Sequence, residues 1–310
     1  MKMKIGFALV EAWYGLESLM AKAKCLLSPT LSSSQTGWKR GGRPCAFGGV
    51  CGPSWRLSIF AGALIFVALT CPSAKAAETN AAASTNLSPH HFTGTIQADY
   101  LLFLPAGYDA AGTNRWPLIL FLHGIGESGT NVWKTTVHGP AKYIEKHPDF
   151  PFIVVSPQCP VGRKWSDQTV LGVLDEVMAS QAVDAKRVYL TGLSMGGSGT
   201  WSLATTYPER FAAVAPICGS EGIIGIIVSN ADKKKAAALK RLPIWAFQNE
   251  GDDVVPREES QHMVDALKKF GNKGVKFTVY PQAGHNSWTQ TYDNPELYQW
   301  FLEHERSSGK

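Results

Sequence analysis

The stretch Arg187–Gly199, RVYLTGLSMGGSG, constrains the fold more than any other part of the chain. Val188, Tyr189, Leu190 and Thr191 are apolar or β-prone, the composition of a short buried strand. Gly192-Leu193-Ser194-Met195-Gly196 follows at once and fits G-x-S-x-G. Trp201, Leu203, Ala204 and Tyr207 then begin a helical pattern that Pro208 closes. Strand, glycine turn and helix in direct succession are what a nucleophile elbow needs. The serine must adopt a strained backbone conformation, and small neighbours let the turn close around it. Alone, G-x-S-x-G is a common loop pattern; the flanking strand and helix single Ser194 out. A serine hydroxyl is a weak nucleophile by itself, so this reading requires a histidine, a carboxylate and oxyanion donors elsewhere.

Read in order, the chain alternates. Thr93–Gln97 and Tyr100–Leu104 read as an antiparallel opening hairpin. Leu118–Leu122 (LILFL) is a continuous apolar run, the mark of a strand covered on both faces. Strands are expected again at Phe152–Val155, Phe211–Ile217, Ile244–Phe247 and Val275–Tyr280. Helices are expected at Leu171–Met178, Glu258–Phe270 and Glu296–Leu302. Such alternation predicts an α/β fold: a mostly parallel central sheet with helices on both faces and functional loops at the strand ends. Residues 219–242 add an apolar stretch, Ile223–Val228, and a basic helix near Lys233–Arg241. That excursion is too short for a separate lid, so a small cap or none is expected, with an open site.

His123-Gly124-Ile125-Gly126-Glu127-Ser128-Gly129 follows the LILFL strand. It lacks the G-K-[ST] of a phosphate loop and any dinucleotide spacing. As the partner of an elbow it makes better sense, because its glycines let backbone N–H groups turn inward to hold an oxyanion. Acidic residues follow the strand Ile244–Phe247: Glu250, Asp252 and Asp253 all qualify. His285 follows the strand Val275–Tyr280, in Ala283-Gly284-His285-Asn286. Nucleophile, acid and base thus occur in the order of α/β hydrolases. In that arrangement His285 takes the Ser194 proton and returns it to the leaving group, while the acid fixes the imidazole tautomer.

Six segments together carry a family resemblance: LILFLHGIGESG, FPFIVVSPQCP, RVYLTGLSMGG, YPERFAAVAPICG, the DDVVP turn, and AGHNSWTQTYDNPELYQWFL. They resemble secreted bacterial carboxylesterases of the dienelactone hydrolase and phospholipase/carboxylesterase type. Predicted prolyl-oligopeptidase-like peptidases and feruloyl or acetyl esterases are similar in build. The resemblance spans roughly residues 98–304. It implies the α/β-hydrolase fold, places the acid at Asp252 with Asp253 in a variable position, and assigns oxyanion donation to the backbone N–H groups of Ile125 and Met195. It implies no cofactor and leaves the ester open. One departure stands out: such proteins commonly carry His-Gly where this chain has Gln248-Asn249.

Ester hydrolysis is therefore the expectation, on aryl, feruloyl- or acetyl-type esters that can be polymer-linked. A prolyl peptidase usually adds a gating domain, and none fits in this chain. Acyl transfer, or a hydrolase fold that only binds, are further alternatives. Trp165 and Trp288 could line the substrate cleft or simply pack. His138 reads as a hydrogen-bonded structural histidine, Glu127 as a cap for the helix after the oxyanion loop, and Lys233-Lys234-Lys235 as a solvated helix face.

The formal charge of +5 is unevenly placed. Residues 1–76 hold nine Lys/Arg and two Glu, leaving 21 basic and 23 acidic residues beyond them. A nearly neutral body argues against nucleic acid as a partner. Leu57–Thr70 is apolar, preceded by Arg56 and followed by Ala74-Lys75-Ala76. This reads as a signal peptide over about 56–76 cleaved near Ala76, too short to be a stable membrane span. Lipidation at Cys71 fits less well, because Thr70 is a poor residue before it. A signal so far from Met1 suggests a mis-assigned start, with Val50 as one candidate. Residues 77–90 read as a flexible linker and 91–310 as a single catalytic domain. An exported protein permits Cys159 and Cys218 to pair, although nothing in the sequence brings them together. No C-x-x-C or His cluster suggests a metal.

Overall fold

A computed structural model describes residues 86–92 and 97–306. The expected leader and signal peptide, Val50, Cys71 and most of the expected linker lie outside the described residues, as does most of the expected strand Thr93–Gln97.

Eight strands form one sheet: β1 Leu87–Phe92, β2 Ala98–Phe103, β3 Trp116–Leu122, β4 Ile153–Pro157, β5 Val183–Leu193, β6 Ala213–Ile217, β7 Ile244–Gly251 and β8 Val275–Ala283. Their spatial order is β1-β2-β4-β3-β5-β6-β7-β8. β1 and β2 run antiparallel, β2 joins β4 antiparallel, and every pairing from β4 to β8 is parallel. This is the sheet of the α/β-hydrolase fold. β5, which leads into the elbow, sits between β3 and β6, so the loops after these three strands meet at one end.

The helices are α1 Gly139–Ile144, α2 Asp167–Ser180, α3 Met195–Thr206, α4 Ile224–Asn230, α5 Lys233–Arg241, α6 Arg257–Phe270, α7 Trp288–Tyr292 and α8 Pro295–Leu302. Alternation along the strands divides the core into two layers. Leu118, Leu120 and Leu122 of β3 share one cluster with Val173 and Val177 of α2, Trp201 of α3 and Leu267 of α6. Ile119 and Phe121 face the other way, into a cluster with Ile144 of α1, Tyr292 of α7 and Phe301 of α8. Helices bury apolar area on both faces of β3, which is why LILFL is continuous rather than alternating.

The hairpin differs from expectation. Its first strand is Leu87–Phe92, so the chain is already ordered where a linker to residue 90 was expected. LSPHHF has little apolar periodicity; its register comes from β2, from Leu87 opposite Phe103 to Phe92 opposite Ala98. His90 stacks on the Tyr100 ring with centroids 5.3 Å apart, and the His91 ring pairs with Asp99. The basic run is only partly a solvated face. Asp232 caps α5 by accepting from the Lys234 and Lys235 amides at 2.8 and 3.1 Å. Lys235 then folds back, donating to the Thr206 carbonyl at 2.8 Å and lying over the Tyr207 ring. Among the described residues, no helix is long and apolar enough to cross a membrane.

Candidate active site

The turn between β5 and α3 holds Ser194 at φ 53°, ψ −116°, a conformation that side chains rarely adopt. The neighbours explain why it persists. A Cβ on Gly192 would lie 2.4 Å from the Gly196 carbonyl oxygen, and one on Gly196 would lie 1.9 Å from that of Leu122. Both glycines are therefore demanded by backbone meeting backbone. The Ser194 amide donates to the Ile217 carbonyl at 2.9 Å, fastening the turn to β6.

Ser194 Oγ lies 2.8 Å from His285 Nε2, and His285 Nδ1 lies 2.7 Å from Asp252 Oδ2. The ionised carboxylate only accepts, so Nδ1 carries the proton and Nε2 is left to receive the serine hydroxyl. The Asp252 side chain has no exposed surface. Burying its charge is offset by four donors. The Val254 and Val255 amides reach Oδ1 at 3.0 and 2.9 Å. Gln248 Nε2 joins His285 on Oδ2, at 2.7 Å. Of the three acidic candidates at the end of β7 and just beyond it, Asp252 is the one that meets the histidine; Glu250 instead pairs with Arg257 across 3.3 Å.

Ile125 begins a short 3-10 turn, Ile125–Glu127, just beyond β3, and Met195 begins α3. The two segments touch: a Cβ on Gly196 would stand 2.7 Å from the His123 carbonyl oxygen, and one on Gly124 2.7 Å from the Leu193 side chain. His123 is buried beneath this loop. Its Nε2 accepts from the Cys159 amide at 3.0 Å, so Nδ1 carries the hydrogen and donates to the Gly124 carbonyl at 2.6 Å. Burial holds its pKa below the ordinary histidine range, against the opposing pull of the Gly124 bond and Glu127.

Both tryptophans pack against histidines. Trp165 Nε1 donates to the His123 carbonyl at 3.2 Å, and its ring meets the His123 ring edge-on. Trp288 meets the His285 ring edge-on at 5.4 Å and the His138 ring at 5.5 Å. His138 Nε2 is 3.8 Å from Glu127 Oε1, and burial lowers its pKa despite that carboxylate. Glu127 caps nothing. Its side chain is drawn inward toward His138, and Asn131 caps the following 3-10 turn by accepting from the Trp133 amide at 3.1 Å. Cys159 and Cys218 are both free buried thiols. Burial pushes Cys218 up to about 12 and raises Cys159 as well. Among the described residues, no group of His, Cys, Asp and Glu is arranged to hold a metal ion.

Sequence reasoning passed over the dipeptide Gln248-Asn249 except as a departure from a pattern. Besides Asp252, Gln248 Nε2 reaches the Val255 carbonyl at 2.8 Å, and Asn249 Nδ2 reaches the Gly284 carbonyl at 2.8 Å. Both are buried polar side chains at the end of a strand, one facing each of the loops that carry Asp252 and His285.

Comparison with known proteins agrees with this architecture. Residues 162–298 match the model of the Dienelactone hydrolase family. The bifunctional acetylxylan esterase/xylanase of Neocallimastix patriciarum is 27% identical over 193 residues, 59% of this chain and 26% of that protein. The protein named probable feruloyl esterase C of Aspergillus niger is 25% identical over 202 residues, 62% of this chain and 69% of that one. The chain thus spans about a quarter of the first relative's length and about two thirds of the second's. A crystal structure of a thermostable esterase superposes with a TM-score of 0.59 at 30% identity, covering 71% of this chain and 64% of the other. Residues 162–298 are accordingly similar to the dienelactone hydrolase family, and they belong to a chain built on the sheet of an α/β hydrolase.

Proposed function

We propose that the chain is a serine carboxylesterase. The observation that carries this reading is the continuous bond path from Ser194 Oγ through His285 to Asp252, with links of 2.8 and 2.7 Å. In the proposed reaction Ser194 Oγ attacks an ester carbonyl while His285 Nε2 takes its proton. The Ile125 and Met195 amides stabilise the oxyanion, and the alcohol leaves with the proton from His285. A water deprotonated by the same histidine then cleaves the acyl-serine ester and restores Ser194. Asp252 stays ionised throughout and keeps the imidazole in the required tautomer.

Aryl, feruloyl- and acetyl-type esters, including polymer-linked ones, form the substrate class, supported by the names of the two relatives. Export through a signal peptide over about 56–76 belongs to the same proposal, as does a single catalytic domain over 91–310. A panel of short-chain, long-chain, acetylated-sugar and hydroxycinnamate esters, set beside a proline-linked peptide amide, tests it. Ester turnover that Ser194→Ala reduces to the residue left by binding and oxyanion donors is expected. Undiminished turnover by that variant, or amide cleavage faster than ester cleavage, would overturn it.

A further inference from the structure

We infer that Gln248 is a positioning residue for the acid of this site, through a neutral amide that shares Asp252 Oδ2 with His285; this rests on the reading of Ser194, His285 and Asp252 given above. Gln248 has no exposed surface and sits in β7, four residues before the carboxylate it serves. Its orientation is unambiguous. Nε2 faces two acceptors, Asp252 Oδ2 at 2.7 Å and the Val255 carbonyl at 2.8 Å, so that end must be the NH2 group. Oε1 faces a donor, Ser260 Oγ at 2.9 Å, from α6.

Two donors on Oδ2 and two backbone donors on Oδ1 leave the carboxylate no freedom to turn without breaking bonds on both oxygens. The brace extends further. Ser260 Oγ also lies 3.1 Å from the Gly219 carbonyl, in a loop pressed so closely on α3 that a Cβ on Gly219 would fall 2.3 Å from the Gly197 carbonyl carbon. The acid is thereby referenced to the helix that starts at the nucleophile. Asn249, the next residue, donates to the Gly284 carbonyl beside His285 and accepts from Gln290 at 3.3 Å. Consecutive residues of one strand thus hold the acid loop and the base loop. Glutamine does not titrate, so this donor is present at every pH at which the protein is folded.

The test uses Gln248→Met, which keeps the length without polar atoms, Gln248→Glu, which turns the donor into an acceptor, and Gln248→His, which restores an N–H. Three quantities are read: the rate at which Ser194 Oγ displaces fluoride from a fluorophosphonate probe, kcat and KM on p-nitrophenyl acetate, and the thermal midpoint. We expect the Met variant to lose roughly 10- to 100-fold in labelling rate and kcat, the scale of a small misplacement in a reacting pair, with KM within about twofold of the parent. The Glu variant loses at least as much, and the His variant recovers most of the rate. A cooperatively folded Met variant that labels within about twofold of the parent would overturn the inference. Equal losses in the Met and His variants would do the same. Should the Met and Glu variants fail to fold, Ser260→Ala carries the test: a several-fold loss at constant KM is expected, and an unchanged rate overturns the inference. A parent chain that the probe does not label overturns the reading of Ser194 itself, and is recognised before any variant is made.

Discussion

The indole of Trp165 donates to the carbonyl oxygen of His123 at 3.2 Å, bracing the loop that carries Ile125. Trp165→Phe keeps most of the packing and deletes that one bond, worth about 1 kcal/mol. If the brace holds the proposed oxyanion donor Ile125 in place, kcat falls about fivefold with KM nearly unchanged, and the thermal midpoint drops by only a few degrees. Steady-state kinetics on a p-nitrophenyl ester decide it.

Backbone strain at Ser194 predicts an inverted order of stability. Glycine ordinarily costs up to about 1 kcal/mol relative to alanine. At φ 53°, ψ −116° alanine keeps the clash of its Cβ and glycine has none. Ser194→Gly should therefore unfold at higher urea than Ser194→Ala, by on the order of 1 kcal/mol. Chemical denaturation of the two variants makes the comparison.

Gly196→Ala should be far more damaging than its single methyl suggests. The added carbon meets the Leu122 carbonyl oxygen at 1.9 Å, and neither the strand nor the helix can yield without moving the other. A loss on the order of 3 kcal/mol or a failure to fold is expected, against a near-neutral effect at Gly126, where the added atom meets nothing within 4 Å. Denaturation midpoints of the two variants give the contrast.

Burial of His123 as a neutral ring makes stability fall in weak acid. Its folded pKa is below the ordinary value, so between the two the unfolded chain binds a proton that the folded chain refuses. The stabilisation is complete above about pH 6.5 and is lost as pH falls below it, by up to about 1.4 kcal/mol per unit. His123→Gln should reduce that slope, leaving the share of His138, whose pKa burial also lowers. Unfolding free energies measured from pH 7.5 to 5 provide the check.

Cys159 and Cys218, buried with raised pKa values, should resist alkylation in the folded protein. Peptide mapping after iodoacetamide is expected to find both unmodified until denaturant is added.

Much of this was legible in the sequence because the relevant physics is local. Continuous apolar runs exist where helices cover both faces, and the pinched glycines around Ser194 have no substitutes. Asp252 and His285 could be placed because each follows a strand. What escaped depends on partners distant along the chain. β1 is a strand only because β2 supplies its ladder, so Pro89, His90 and His91 gave no signal. The Glu127 side chain turns inward because His138, eleven positions on, lies there. Gln248 looked like a missing histidine, since its role appears only when Asp252, Val255 and Ser260 surround it.

The sheet order has one more consequence. Ser194 follows β5, in the interior, whereas His285 follows β8, the outermost strand on its side, which pairs in the sheet with β7 alone. Peeling of that border strand would carry the imidazole away while the centre of the molecule stayed intact. Turnover should therefore vanish earlier in a heating ramp than the far-ultraviolet circular dichroism does, making the reaction a sentinel for fraying at one margin of the protein.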